Sequence, residues 1–489
     1  MDIVIGLDFG TTTLKAVAFT PDGQEIAHAA AEVPTLLESG HAEQVPDLVA
    51  DLAVAMLAQV AESVRDQGHT VARVGISAAM HSILAVDAQD AALTNALLWM
   101  DARAQPQANA LWAAPNGPAL YARTGTPIHA MSPLAKLLWV REEQPTVWQR
   151  AAKFVSLKEW IWHRWFGAWQ IDTSLASATG LYNLQTGLWD AEVLTMLALT
   201  PQHFSTLVAT TYTRQGIREP RLIAAGLADT AFTIGASDGV LANLGVQAIT
   251  PDALVLTIGT SCAVRRGTLH PFTNAATRSF CYVLARDRFI IGAASNSGGV
   301  VLDWLAQHLL SPTDAISPEQ WAALLQSASE VTSDGLLCLP YMAGERAPLW
   351  DAEASGTLYG LRLHHRPAHL VRATIEGILF NAYWLASSIT DPTQPPQRLI
   401  ATGKVLSTPW VRQLAADIFQ LPVADGGQSD ASAKGAAQIA DIAAGLATWP
   451  TVLPRAELVT LLSGNNDYQA HYARWRDVVA TLLMHPETN

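Results

Sequence analysis

"IVIGLDFGTTTLKAVAF", residues 3–19, decides how the chain is read. Its flanks, 3–7 and 14–19, are rich in Ile, Val, Leu and Phe, which suits strands. Between the strand cores stand Asp8, Gly10, Thr11, Thr12, Thr13 and Lys15. A tight turn between strands exposes several backbone N–H groups at once and makes a nest for an anion. Gly10 lets a ligand approach closely, the threonine hydroxyls add donors and Lys15 adds charge. Asp8 would repel a bare phosphate. It fits if Mg²⁺, reached through water, lies between carboxylate and phosphate.

Working outward, "TPDGQE" (20–25) is a turn and "IAHAAAEV" (26–33) a third strand, so the chain opens as an antiparallel meander. A helical pattern follows over 44–65 and a buried strand over 71–78. Sliding the opening along by 249 residues lays Gly10, Thr11 and Thr12 on Gly259, Thr260 and Ser261 of "LVLTIGTSCAVRRG" (254–267), with Thr257 at the place of Asp8. A strand–turn–strand unit opening each half predicts two similar α/β lobes, 1–247 and 248–489, with a ligand cleft between them. Two donor-rich turns, only one with a carboxylate, suit the two ends of a nucleotide's phosphate tail.

"FTIGASDGVLANLGV" (232–246) runs from a strand into a helix and puts Asp238 at the helix N-terminus. A carboxylate there stays ionised, and near a phosphate and an alcohol it can take the hydroxyl proton. The structural alternative is a plain helix cap. "ISAAMHSILAVD" (76–87) offers Met80 and His81, and "LLWMDARA" (97–104) offers Trp99, Asp101 and Arg103. Together they supply the apolar surface and the paired donors and acceptors that a carbohydrate needs. Taken singly, Trp99 reads as core and Asp101–Arg103 as a surface ion pair.

In the second half, "RFIIGAASNSGGVVLDWLAQHL" from 288 is a strand, a Ser/Asn/Gly loop and an amphipathic helix. "LPYMAGERAPLWD" (339–351) reads as a structural loop beside a site. "LHHRPAH" (363–369) fits no zinc spacing and reads as a surface turn, and "PTVLP" (450–454) as a loop before the last helices. GxxxxGK[ST] and GxGxxG are both absent.

The chain has 489 residues, 43 acidic and 30 basic, for a net charge of −13. That balance argues against nucleic-acid binding, which needs a basic face. The three cysteines show no CxxC spacing and suit a reducing compartment. No apolar run reaches the roughly 18 residues of a membrane span. A cytoplasmic protein is expected, and whether it forms a homodimer is left open.

In order and spacing these motifs resemble those of the FGGY carbohydrate kinases, of the actin-like ATPase superfamily. The resemblance rests on "GLDFGTTTLKAVAF", "MHSILAVD", "WMDARA", "GASDGVLANLG", "TIGTSCAV", "SNSGGVVLDWL", "LPYMAGERAPLWD" and "RATIEGILFNAYW", and spans nearly the whole chain. It implies two ribonuclease-H-like lobes, with the sugar bound mainly by the first lobe and Mg-ATP between the two. It implies Asp238 as catalytic base and Asp8 near the magnesium. It implies that Thr11, Thr12, Lys15, Gly259 and Thr260 cradle phosphates. Gly10, Thr13, Ser261, Gly298, Gly299, Gly403 and Lys404 complete the candidate nucleotide set. Met80, His81, Trp99, Asp101 and Arg103 match the family's substrate stretch. The adenosine turn departs from the family: after Gly403, Lys404 and Val405 stand where glycine or a small residue is common.

Within the family, "GTPIHAMSPLAKLLWV" (125–140), "KFVSLKEWIWHRWFG" (153–167) and "DTSLASATGLYNL" (172–184) are most similar to gluconate kinases. The implied reaction is ATP-dependent phosphorylation of D-gluconate to 6-phospho-D-gluconate. An anionic substrate asks for a cation or backbone donors, and Lys136, Lys158 and Arg103 are the candidates. The nearest alternative is a kinase of xylulose or another ketopentose or polyol. An actin-like ATPase working by conformational change belongs to a different class, as does a sugar-sensing pseudokinase, which Asp8 and Asp238 argue against.

Overall fold

The computed structural model describes residues 1–310, 316–427, 430–450, 458–460 and 467–483. Positions 451–454 of the loop expected near 450 lie outside them. The chain forms two compact units. Residues 1–249, 268–290 and 430–450 make the first; 250–267, 291–427 and the described residues beyond 457 make the second.

The first unit is built on a six-stranded sheet. The strand Asp2–Phe9 pairs antiparallel with Thr13–Phe19, which pairs antiparallel with Glu25–Glu32, giving the expected meander. On its other side Asp2–Phe9 pairs parallel with Thr70–Ala78, and that strand parallel with Ala231–Ser237. Ile3 to Leu7 are buried without alternation, as in a central strand covered on both faces. The helix Pro46–Asp66 starts on a proline and buries Val49, Ala53, Leu57, Val60 and Val64 at helical spacing.

A second cover comes from far along the chain. The alanine-rich helix Ala431–Ala443 packs on the same sheet, with Ala433, Ala437 and Ala440 against Val4, Val17 and Phe19. Two sheet glycines allow this: a Cβ on Gly6 would collide with the carbonyl of Ala433, and one on Gly75 with that of Ala436. The helix Asp238–Gly245 is seated the same way, with Gly245 facing the Ala431 carbonyl and Gly435 facing that of Leu241.

The second unit repeats the plan. The strand Ala253–Ile258 pairs antiparallel with Cys262–Thr268 and parallel with Arg398–Thr402, which pairs parallel with Val423–Asp425. Arg288–Ser295 lies beyond Cys262–Thr268. In both units the meander edge, the central first strand and the parallel strands follow in the same order, the ribonuclease-H-like α/β arrangement. The opening strands even keep the 249-residue offset, since Thr13–Phe19 corresponds to Cys262–Thr268. Only the tips differ. Gly10–Thr13 spans paired Phe9 and Leu14, whereas Gly259–Ser261 spans paired Ile258 and Cys262, one residue fewer.

Candidate active site

Parallel strands end at one edge of a sheet, and in the first unit that edge gathers carboxylates. Asp8 faces Ser77 in register, and Ser77 and Ala78 face Ala236 and Ser237. Asp238 follows at once as the first residue of its helix, whose cap position is Ser237. It is therefore not the plain cap. Its Oδ1 accepts the Gly239 N–H at 2.6 Å. Ser77 Oγ donates to Asp8 Oδ1 at 2.6 Å. Removal from water, then the charges of Asp238 and Asp430, push the Asp8 carboxyl up to about 7. Three carboxylates so placed call for a cation.

Lys15 meets part of that demand, pairing with Asp430 at 2.5 Å. A half-buried ammonium beside a carboxylate takes the local partner.

Of the candidate sugar residues, Met80, Trp99 and Lys158 share a cavity of the first unit, and His81 lines a separate one with Ser156 and Glu159. Phe9, Gly10, Thr11, Met80, Trp99 and Lys158 line one cavity of the first unit. Trp99 Nε1 donates to Thr11 Oγ1 at 3.0 Å, and Gln44 Nε2 to the Thr11 carbonyl at 2.6 Å. His81 sits at φ +69°, and its Nδ1 lies 2.8 Å from the Ala178 carbonyl, so Nδ1 carries the proton. Its Nε2 is then an acceptor, 3.5 Å from the Tyr282 hydroxyl.

The three cations named for a substrate carboxylate all have partners inside the protein. Arg103 pairs with Asp101 at 2.6 Å and with Glu43 at 2.5 Å. Asp101 is fully buried, so this is no surface pair, and it also accepts the Ala42 N–H at 2.9 Å. Lys136 is buried and donates to the carbonyls of His81 and Leu98 at 2.7 and 2.6 Å, tying the two sugar stretches together. Lys158 is no surface lysine: it is buried against Asp172 at 2.8 Å and reaches the Ala236 carbonyl at 3.3 Å. A charge taken out of water must be partnered.

The second unit carries the expected glycine turns. Gly299 N donates to the Gly259 carbonyl at 2.7 Å and Val300 N to that of Thr260 at 3.1 Å. A Cβ on Gly298 would stand 2.5 Å from the Ser261 carbonyl carbon, so only glycine fits. Gly403 sits at φ +92°, against the Ile258 carbonyl. A cavity of about 520 Å³ opens beside them, lined by Gly259, Thr260, Gly299, Trp321, Lys404 and Val405 among others. Its apolar wall and glycine floor suit a base and a phosphate tail.

Among the described residues one group of three, Asp334, His364 and His365, has metal-ligand spacing. His365 Nδ1 accepts the Arg362 N–H, which leaves the proton on Nε2 and unfits the ring for a metal. Leu363 and His364 form the expected exposed turn, but the surface-turn reading fails at its end, where Pro367, Ala368 and His369 open the helix Pro367–Ser388. All three cysteines are buried and free, with burial pushing each thiol up to about 12. No helix among the described residues is long and apolar enough to cross a membrane.

Ser77, Gln44, Glu43, Asp430 and Tyr282 escaped the sequence reading. Ser77 lies 69 residues from Asp8 and Asp430 lies 415 from Lys15, so no local motif joins them.

The comparisons with known proteins agree with this geometry. The FGGY family of carbohydrate kinases matches as an N-terminal domain over residues 3–245 and a C-terminal domain over 254–444. The gluconokinase of Bacillus subtilis is 37% identical over 429 residues, 86% of this chain and 83% of that protein. A xylulose kinase of the same organism is 25% identical over 91% of this chain and 89% of that protein. The crystal structure of a gluconate kinase from Lactobacillus acidophilus superposes with a TM-score of 0.92 at 31% identity, covering 98% of each chain. A ligand-bound xylulose kinase from that organism gives the same score and identity over 99% of this chain and 98% of that one. With both family domains matched in order across most of its length, the chain belongs to the FGGY family of carbohydrate kinases.

Proposed function

We propose that the protein is an ATP-dependent kinase that converts D-gluconate to 6-phospho-D-gluconate. The observation that carries the chemistry is the placing of Asp238 at a helix N-terminus beside Asp8. The substrate is favoured by the likeness to the Bacillus subtilis gluconokinase.

In this reading the first unit holds the sugar and the base, and the second holds the nucleotide. Asp238 takes the proton of the terminal hydroxyl as that oxygen attacks the γ-phosphorus of ATP, and the O–P bond to ADP breaks. The positive end of the helix dipole at its N-terminus favours the carboxylate form of a residue placed as Asp238 is. Met80, His81 and Trp99 line the sugar, with Asp101 and Arg103 fixing the stretch that carries Trp99. Lys158 uses two of its three N–H donors on Asp172 and Ala236. Its third serves the carboxylate of the acid, since Lys158 lines the cavity with Met80 and Trp99. In the second unit Thr260, Ser261 and Gly298 offer backbone N–H groups to the phosphates, the Gly259 and Gly299 N–H groups being held by the Ser261 and Gly259 carbonyls, and Lys404 adds charge beside Gly403.

The residues fit a magnesium ion. Asp8 would hold it, directly or through water, with a carboxyl that burial and the charges of Asp238 and Asp430 push up. When bound, the ion neutralises charge on the phosphate oxygens. The reading places the enzyme in the cytoplasm, where ATP and its sugar acid meet.

A second reading, a ketopentose kinase, has a specific observation in its favour: Lys136, Lys158 and Arg103 all have internal partners, which suits a neutral substrate. A coupled ADP-release assay with Mg-ATP separates them, run against gluconate, other aldonates, xylulose, ribulose, glycerol and a blank without sugar. Turnover on gluconate alone is expected. Turnover on xylulose alone discards the acid, and equal ADP release in the blank discards the sugar kinase for a conformational ATPase.

A further inference from the structure

The loop Leu339–Asp351 has no part in the chemistry above, yet it holds a deeply buried charge. The Glu345 side chain is 3% exposed. Its Oε1 accepts the backbone N–H groups of Asn296 and Arg346, both at 2.8 Å. Its Oε2 accepts Ser295 Oγ at 2.6 Å and Asn381 Nδ2 at 3.1 Å, with the Ser297 hydroxyl at 3.0 Å shared with the Pro340 carbonyl. Arg346 grips the same turn from outside, donating Nε to Asn296 Oδ1 at 2.8 Å and Nη2 to the Ser295 carbonyl at 3.0 Å.

Every one of these bonds but the Arg346 N–H and Asn381 contacts lands on residues 295–297, directly before Gly298 and Gly299. Those glycines abut Ser261 and Gly259; the Gly299 N–H donates to the Gly259 carbonyl and the Val300 N–H to that of Thr260. A buried carboxylate is costly unless fully bonded, so it acts as a rigid anchor. We propose that the Glu345–Arg346 pair positions the nucleotide-phosphate turns of the second unit, Ser295–Gly299 directly and Gly259–Ser261 through it. This rests on the kinase reading, and it makes the two residues positioning groups that touch no substrate.

The test measures affinities separately. Mg-ATP and gluconate are each titrated calorimetrically into wild-type protein, Glu345→Gln and Arg346→Lys. Glutamine cannot replace the carboxylate: if Oε1 becomes NH₂ two donors lose their acceptor, and if Oε2 does three are affected. Glu345→Gln is expected to weaken ATP binding at least about tenfold while gluconate affinity stays within about twofold. A folded Glu345→Gln protein with wild-type ATP affinity overturns the proposal, as does equal weakening of both ligands, which marks a general loss of structure. If Glu345→Gln fails to fold, Arg346→Lys decides. It keeps the buried charge but loses the two-pronged grip, and is expected to weaken ATP about threefold or more; unchanged ATP affinity overturns the proposal. A wild-type protein that binds no ATP overturns the kinase reading instead, a distinct result.

Discussion

Lys158 Nζ stands 2.8 Å from Asp172 Oδ2, and both side chains are buried. Asp172 also accepts the Leu175 N–H at the start of the helix Thr173–Ser177, whose Ser174 hydroxyl lies 3.1 Å from that of Ser237, next to Asp238. Removing one member of such a pair strands the other charge. Lys158→Met is expected to cost about 3–5 kcal/mol in urea unfolding. The double variant Lys158→Met with Asp172→Asn should recover part of that loss. A single-variant cost below about 1 kcal/mol would show that the pair is open in solution.

Asp238 has a job separable from nucleotide binding. Asp238→Asn keeps an acceptor for the Gly239 N–H but cannot take a proton. Turnover should fall by about 10²–10⁴, with ATP affinity within about twofold of wild type. Single-turnover kinetics with parallel titration of ATP checks both halves. Retained turnover would place the base elsewhere.

Burial pushes the Lys136 ammonium down to about 7 from its ordinary 10.5. Between those values the unfolded chain holds a proton that the folded protein has released. This contribution to stability therefore rises with pH through that window, is complete above about 10.5, and is lost as pH falls through 7. Lys136→Met lacks the group. The stability gap between wild type and variant should widen in favour of wild type from pH 7 to 9.5, as read by chemical denaturation at each pH. A gap independent of pH would mean that Lys136 titrates normally.

Gly75 faces the Ala436 carbonyl across a sheet–helix contact made by backbone on both sides. A methyl group there can be relieved only by moving the helix. Gly75→Ala is expected to cost about 3 kcal/mol, at the upper end for overpacking. Gly68, with open space around its Cβ position, serves as the control, although its φ of +77° adds a small cost of its own. Thermal melts of the two variants give the comparison; equal melting temperatures would mean that the helix is not seated as described.

The hairpin at residues 3–19 and its echo at 254–267 were legible because strand and turn chemistry are local. The 249-residue offset survives in the strands. The one-residue shorter second tip did not show in an ungapped comparison, because pairing register depends on the partner strand. The same limit governed the site. Asp8, Asp238, Met80, His81 and Trp99 each sit at the end of a readable strand. Which charges cancel which was not readable. Lys15 meets Asp430, Arg103 meets Glu43, and Lys158 meets Asp172 through folding alone. Nor could sequence order show that 268–290 and 430–450 pack with the first 249 residues.

That last point reaches into synthesis. The sheet that opens the chain keeps one seat, at Gly6 and Gly75, for a helix that begins at Ala431. A growing chain can form the meander early, but the apolar seat of Val4, Val17 and Phe19 stays bare until nearly nine-tenths of the protein has left the ribosome. During that wait the first unit is an unfinished surface, and a premature stop anywhere before the helix would leave it so for good.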